Sequence, residues 1–436
     1  MVADQTANPG EASPPENSAT RRIGMRGIVV IGTVLLLIGV NVMIWLRGSL
    51  ETARIARQRG NWSTTRAAAE RYLILDPGNL EARMLAADGY FQDDSLDSVE
   101  AARAAISHYQ KIPDQSEQGG LARSMEGRAA FLVLQEPSRA ERLFLKAIEQ
   151  DPDLFDAHYL LWQLDNMTER FYACEQHFRE VYRLCPVDER PHRLREWYFS
   201  QFSPLSACGE LDLLMGFRQQ RELPSEEIAF RRLSAFAEYE PNEPNTLAAL
   251  AQWHLRNQSR EAALQVLEKI RDSPAAQASP FYMATLLETL IELGQFERAD
   301  EVYAAWPKNG QEYYAKKVQG IYFQEVQGEL EKAFEKYTEA SEIWPGPTDW
   351  LMLNRRSRCL ALLGRKEESA QAGELASQME AMTDLSVHTK IRNALMNWEN
   401  PNNLETIVDF YESLSRPWEA NSWREVAKNL PRKTRP

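Results

Sequence analysis

A small residue, most often alanine, recurs along this chain about every 34 residues: Ala101, Ala140, Cys174, Ala229, Ala262, Ala299, Ala333 and Ser369. The steps are 39, 34, 55, 33, 37, 34 and 36 residues. A proline follows twelve residues after most of these positions, at Pro113, Pro152, Pro186, Pro241, Pro274 and Pro345. A fixed period with fixed punctuation is the mark of one supersecondary unit stacked many times, a chain that folds as a solenoid.

The pattern inside each period is helical. Leu121, Met125, Phe131, Leu132 and Leu134, then Ala140, Phe144 and Ala147, keep the three- and four-residue spacing of two amphipathic helices. The alanine marks the closest approach of the pair, where a larger side chain would hold the helices apart. An aromatic or branched residue follows four later: Phe144, Phe178, Leu233, Val266, Tyr303 and Tyr337. The proline then ends the second helix, because it lacks the amide hydrogen and clashes with the preceding turn. Gly60, Gly294, Gly328 and Gly364 stand where the first helix must end in a left-handed residue.

Glycine, aromatic, alanine, aromatic and proline at these offsets resemble the tetratricopeptide repeat family over residues 47–186 and 210–382. The resemblance implies an all-α, right-handed α-solenoid of stacked helix pairs, its concave face lined by the first helix of each pair. It also implies scaffold or adaptor work without catalysis. Individual copies depart from the pattern: Cys174 and Ser369 replace the alanine, and the first unit has Thr65 there.

The period breaks once, between Cys174 and Ala229. Residues 187–209 read as an irregular helical interruption, and 383–436 as a helical cap and tail with helices near 384–398, 402–415 and 418–429. Residues 1–20, rich in proline and poor in apolar side chains, read as a disordered tail. Gly27 to Leu46 is an uncharged run of twenty residues with Trp45 near its end. The sequence predicts a transmembrane anchor over 21–46, with bilayer contact through 27–46. That makes the chain a single-pass inner or cell membrane protein. Its arginine flanks nearly cancel, and the Arg21–Arg22 pair tips the reading toward an extracytoplasmic solenoid.

Net charge is −13. Residues 1–46 carry three arginines against three carboxylates, so the excess belongs to the repeats, which disfavours nucleic acid and favours a protein or peptide partner. Cys174 and Cys185 lie eleven apart on one predicted helix, about 16 Å, too far for a disulfide. The six histidines are scattered and no Cys-x-x-Cys occurs, so no metal and no other cofactor are expected. Gly-x-Ser-x-Gly and phosphate-binding glycine loops are also absent, and the reading is non-enzymatic.

Asp156, Tyr159, Gln163 and Asn166 share one face of a first helix. Phe281 and Glu288, then Tyr322 and Glu325, occupy equivalent places further on. These eight residues form the expected concave partner surface. Family members that clamp a peptide carboxylate use lysine, arginine and asparagine here; only Asn166 matches in type, so no such clamp is expected. Two other functions fit the sequence: an accessory subunit of an envelope enzyme or secretion complex, and an enzyme with its site in 187–209 or 383–436.

Overall fold

The computed structural model describes residues 25–202, 225–306, 310 and 312–429, with side chains from residue 39 and, after the gap at 203–224, from residue 227. The expected tail at 1–20, Cys208 and the second part of the 187–209 interruption lie outside the described residues. Every regular element among the described residues is helical.

The chain divides into two compact units between Ala86 and Ala87. The first holds α1 (Met25–Gln58), α2 (Trp62–Leu75) and the start of α3 (Leu80–Phe91). Gly60 takes φ +68° and turns the chain between α1 and α2. The Asn61 side chain then caps α2, accepting from the Thr64 amide at 3.1 Å. Ala53, Ala68, Ala69, Leu85 and Ala86 form a small core, and Arg54 forks onto Glu81 at its edge.

The membrane span expected at 27–46 does not hold. No helix among the described residues is long and apolar enough to cross a membrane. The side chains of 27–38 lie outside the described residues. From Gly39 onward α1 runs unbroken through Gly48 and Ser49 into a charged stretch with Arg47, Glu51, Arg54 and Arg57 that packs on α2. Trp45, expected at a bilayer interface, has the Arg71 guanidinium over its ring at 4.9 Å. Bilayer contact and the single-pass localisation fall with the span.

The second unit continues with α4 (Ser98–Tyr109), α5 (Gly119–Leu132), α6 (Pro137–Gln150), α7 (Phe155–Met167), α8 (Cys174–Leu184) and α9 (Arg190–Gln201). After the undescribed stretch come α10 (Ser225–Tyr239), α11 (Pro244–Arg256), α12 (Arg260–Leu267), α13 (Pro274–Ala278), α14 (Pro280–Glu292) and α15 (Phe296–Ala304). Then follow α16 (Tyr313–Tyr322), α17 (Leu330–Ser341), α18 (Trp350–Leu362), α19 (Lys366–Met382), α20 (Leu385–Met396), α21 (Pro401–Ser413) and α22 (Pro417–Asn429).

One rule organises the pairs. The described residues with positive φ are Gly60, Gln135, Glu169, Gln258, Gly294, Gly328, Gly364 and Ser415. Each stands five residues before a small side chain: Thr65, Ala140, Cys174, Ala263, Ala299, Ala333, Ser369 and Ala420. All of these except Ser369 are buried. The left-handed residue closes the first helix; in most copies the next amide reaches back five residues, as from Gln295 to Leu290 and from Arg416 to Tyr411. The small residue then sits where the second helix crosses the first. The pairs repeat in one register along the chain. The ladder position is Ala263 rather than Ala262, and Ala420 adds a pair, α21–α22, in the same register. A glycine on the first helix leaves room for the aromatic four residues after the ladder. A Cβ at Gly127 would meet the Phe144 ring at 2.7 Å.

Four of the eight left-handed positions carry a side chain. Ser415, exposed and at φ +56°, is one. L-residues pay roughly 1–2 kcal/mol there and glycine pays none. Ser415→Gly is expected to stabilise the chain by about 0.5–1 kcal/mol, read as a rise in melting temperature.

A long-range contact ties the repeats on either side of the 55-residue step. Glu240, just past α10, caps the N-terminus of α6: its carboxylate accepts from the Ser138 and Arg139 amides at 2.9 and 3.0 Å. A carboxylate is favoured at that positive helix end. Arg142 forks onto Glu243 at 3.1 Å, and Phe131 meets Phe236. The second run of repeats therefore stacks against α5 and α6 as well as following α9.

A groove beside a buried central helix

The C-terminal half of helix α9 is enclosed. Every side chain from Glu196 to Gln201 is buried. The Trp197 ring stacks on Phe178 of α8 at 4.5 Å, and its indole NH donates to Glu419 of α22 at 3.1 Å. Tyr198 stacks on His388 of α20 and shares a 2.7 Å hydrogen bond with its Nδ1. Gln201 donates to Glu419 at 2.9 Å and accepts from the Tyr411 hydroxyl at 2.9 Å. The last three helices thus fold back over α9. Arg416 completes the clasp, donating to Glu419 and lying 3.1 Å from Glu175 of α8.

This arrangement decides the fate of the expected concave surface. On α7, Gln163 and Asn166 are buried, and Asn166 donates to the Ser200 hydroxyl at 3.2 Å. Tyr159 is half-buried between Phe155 and the Arg193 guanidinium of α9, and burial pushes its phenol up to about 12. Asp156 remains exposed. Phe281 packs edge-on against Tyr172 and Tyr314, and Glu288 accepts from the Tyr314 hydroxyl. Tyr322 is buried, stacked on Tyr303 at 4.1 Å, with its hydroxyl on Asp300 at 2.8 Å. Glu325 is exposed and pairs with Arg355 at 2.7 Å. The structure gathers Tyr159, Gln163 and Asn166 under α9. Phe281, Glu288, Tyr322 and Glu325 are engaged within their own or adjacent repeats.

The titratable interior is closed off. Asp165 is buried beside Arg170 at 3.0 Å, and desolvation raises its carboxyl to about 7. His177 is held down to about 4, first by burial and then by His158. Burial raises the Cys174 thiol. Among the described residues no group of three or more His, Cys, Asp or Glu is placed to hold a metal.

A groove of about 1810 Å³ lies open beside the clasp. One wall is the end of α8, the turn at 186–189 and the start of α9. The other is the end of α20, the turn at 397–400, the start of α21 and the end of α22. Its apolar lining includes Tyr182, Leu404, Val408 and Val426, all buried. Val187 and Met396 line it while 58% and 56% exposed. Trp398 adds a half-buried aromatic. The Trp418 indole backs Tyr182 edge-on at 5.2 Å, so the clasp holds that wall in place. Sequence reasoning named 187–209 and 383–436 only as separate places for an enzyme's site and did not join them into a groove, because the groove is built from helix ends and turns far apart in the chain.

No family model matches the chain, and no curated protein matches it. Solved structures similar to it include the Cut9-Hcn1 hetero-tetramer of the APC/C, at 11% identity and a TM-score of 0.39, covering 89% of this chain and 93% of that one. A tetratricopeptide repeat protein from Parabacteroides merdae is similar at 11% identity and a TM-score of 0.29, covering 76% and 98%. The TPR domain of P58(IPK) is similar at 14% identity and a TM-score of 0.24, covering 85% and 99%.

Proposed function

We propose that this chain is a protein-binding scaffold that receives a polypeptide segment of a partner in the groove between the α8–α9 turn and α20–α22. The observation that carries the reading is the groove itself. At about 1810 Å³ it exceeds the 300–1,000 Å³ of typical small-molecule sites. Two large apolar side chains stand exposed in its lining, where a partner would cover them. The repeats serve to hold the walls at a fixed separation.

The concave-face residues support this role differently from the sequence expectation. Most are packed, so Tyr322→Ala removes a stacked aromatic and is not a neutral surface change. The test belongs at the groove. Val187→Glu with Met396→Glu places charge on two side chains that are more than half exposed, where stability changes usually stay within about 0.5 kcal/mol. Loss of apolar anchors from an interface commonly costs about 2 kcal/mol or more of binding. The double variant is expected to lose the protein retained by the unsubstituted chain while its melting temperature holds. Retention of the same partner by the variant would place binding elsewhere.

A further inference from the structure

Four exposed carboxylates line the groove: Asp188, Glu399, Glu405 and Glu425. None has an ion-pair partner among the described residues. Two guanidiniums face them. Arg424 is already paired with Glu412, and Arg190 lies over the Tyr182 ring at 5.0 Å. The uncompensated charge of the groove is therefore negative.

Asn429, the last residue of α22, also lines this groove. The residues that follow are Leu430, Pro431, Arg432, Lys433, Thr434, Arg435 and Pro436: three cations, no carboxylate and one large apolar side chain. Pro431 disfavours continuation of the helix. Seven residues reach about 24 Å when extended. A segment of complementary charge thus begins at the rim of the groove.

Resting on the reading of the groove as a polypeptide site, we propose that segment 430–436 docks in the groove of its own chain, Arg432, Lys433 and Arg435 toward the carboxylates and Leu430 toward the apolar lining. Each exposed ion pair contributes little by itself. The short tether supplies an effective concentration of the order of mM, which makes weak pairing sufficient. A partner must displace this segment, so it sets a threshold that partner affinity has to exceed, and a basic segment is the chemistry the groove selects.

The test uses the full chain with photo-reactive p-benzoylphenylalanine in place of Thr434. Irradiation is expected to give intramolecular cross-links to residues 187–191 and 396–405. Glu399→Gln with Glu405→Gln and Glu425→Gln should abolish them, as should 1 M salt, where the screening length is about 3 Å. Cross-links confined to 417–429, beside the tether, overturn the proposal, as do cross-links insensitive to the three substitutions. Cross-linked dimers would assign the groove to a second copy and overturn it too. A labelled peptide of sequence LPRKTRP gives the second arm. It should bind the full chain carrying Arg432→Ser, Lys433→Ser and Arg435→Ser about 10-fold more tightly than the unsubstituted chain, because the internal competitor is gone. Equal binding to both, with partner capture still dependent on Val187 and Met396, overturns the internal docking and leaves the groove reading standing. Loss of that dependence removes the groove reading as well.

Discussion

Trp197→Ala is expected to destabilise the second unit by about 3–5 kcal/mol, the range for truncating a large buried aromatic. Its side chain is fully buried and stacks on Phe178 with an interplanar angle of 4°. Trp162 packs edge-on at 6.4 Å. Removing the indole opens a cavity between α7, α8 and α9, and helices pinned by neighbouring repeats cannot collapse to fill it. The change also leaves Glu419 without one of its donors. A urea titration followed by circular dichroism should show the transition moving to lower denaturant. An unchanged midpoint would mean that α9 is not enclosed by the C-terminal helices.

Glu419→Ala is expected to cost a similar amount, about 3–5 kcal/mol, through charge rather than volume. Glu419 is 1% exposed and accepts from the Trp197 indole, the Gln201 amide and the Arg416 guanidinium. Alanine orphans the Trp197 and Gln201 donors in a buried site and takes one of two carboxylates from Arg416. Glu175 offsets part of the loss at Arg416. Glu419→Gln, which keeps an acceptor, should cost less than alanine. Combining Trp197→Ala with Glu419→Ala should cost less than the sum of the two, because both remove the same Trp197–Glu419 bond. Strict additivity would argue against the shared network.

The repeat architecture was written in the chain because Ala140, Ala299 and Ala333 have to be small where helices cross. The same logic failed at Ala262 and passed over Ala420. Their turns end in Gln258 and Ser415, side chains that occupy a left-handed position usually marked by glycine. The contact between Glu240 and α6 spans about a hundred residues, and local periodicity carries no trace of it. The concave face was legible as a helical face but not as a buried one. The aromatic run Trp197-Tyr198-Phe199 turns apolar groups to all sides of α9, a pattern that belongs to a surrounded helix, and that enclosure covers Gln163 and Asn166. The span at 27–46 rests on its uncharged run and Trp45, and no described helix bears it out.

The most direct measurement of the central claim, that the C-terminal helices close over α9 and so build the groove, is amide hydrogen exchange of the intact chain. The amides of Glu196 to Gln201 are predicted to exchange as slowly as those of the core helix α14, because both open only when the unit unfolds. In Glu419→Ala the same amides should exchange much faster than those of α14, because loss of the clasp lets the C-terminal helices open without unfolding the rest of the unit. Fast exchange of 196–201 in the unsubstituted chain, at the rate of helix ends exposed to solvent, would contradict the account.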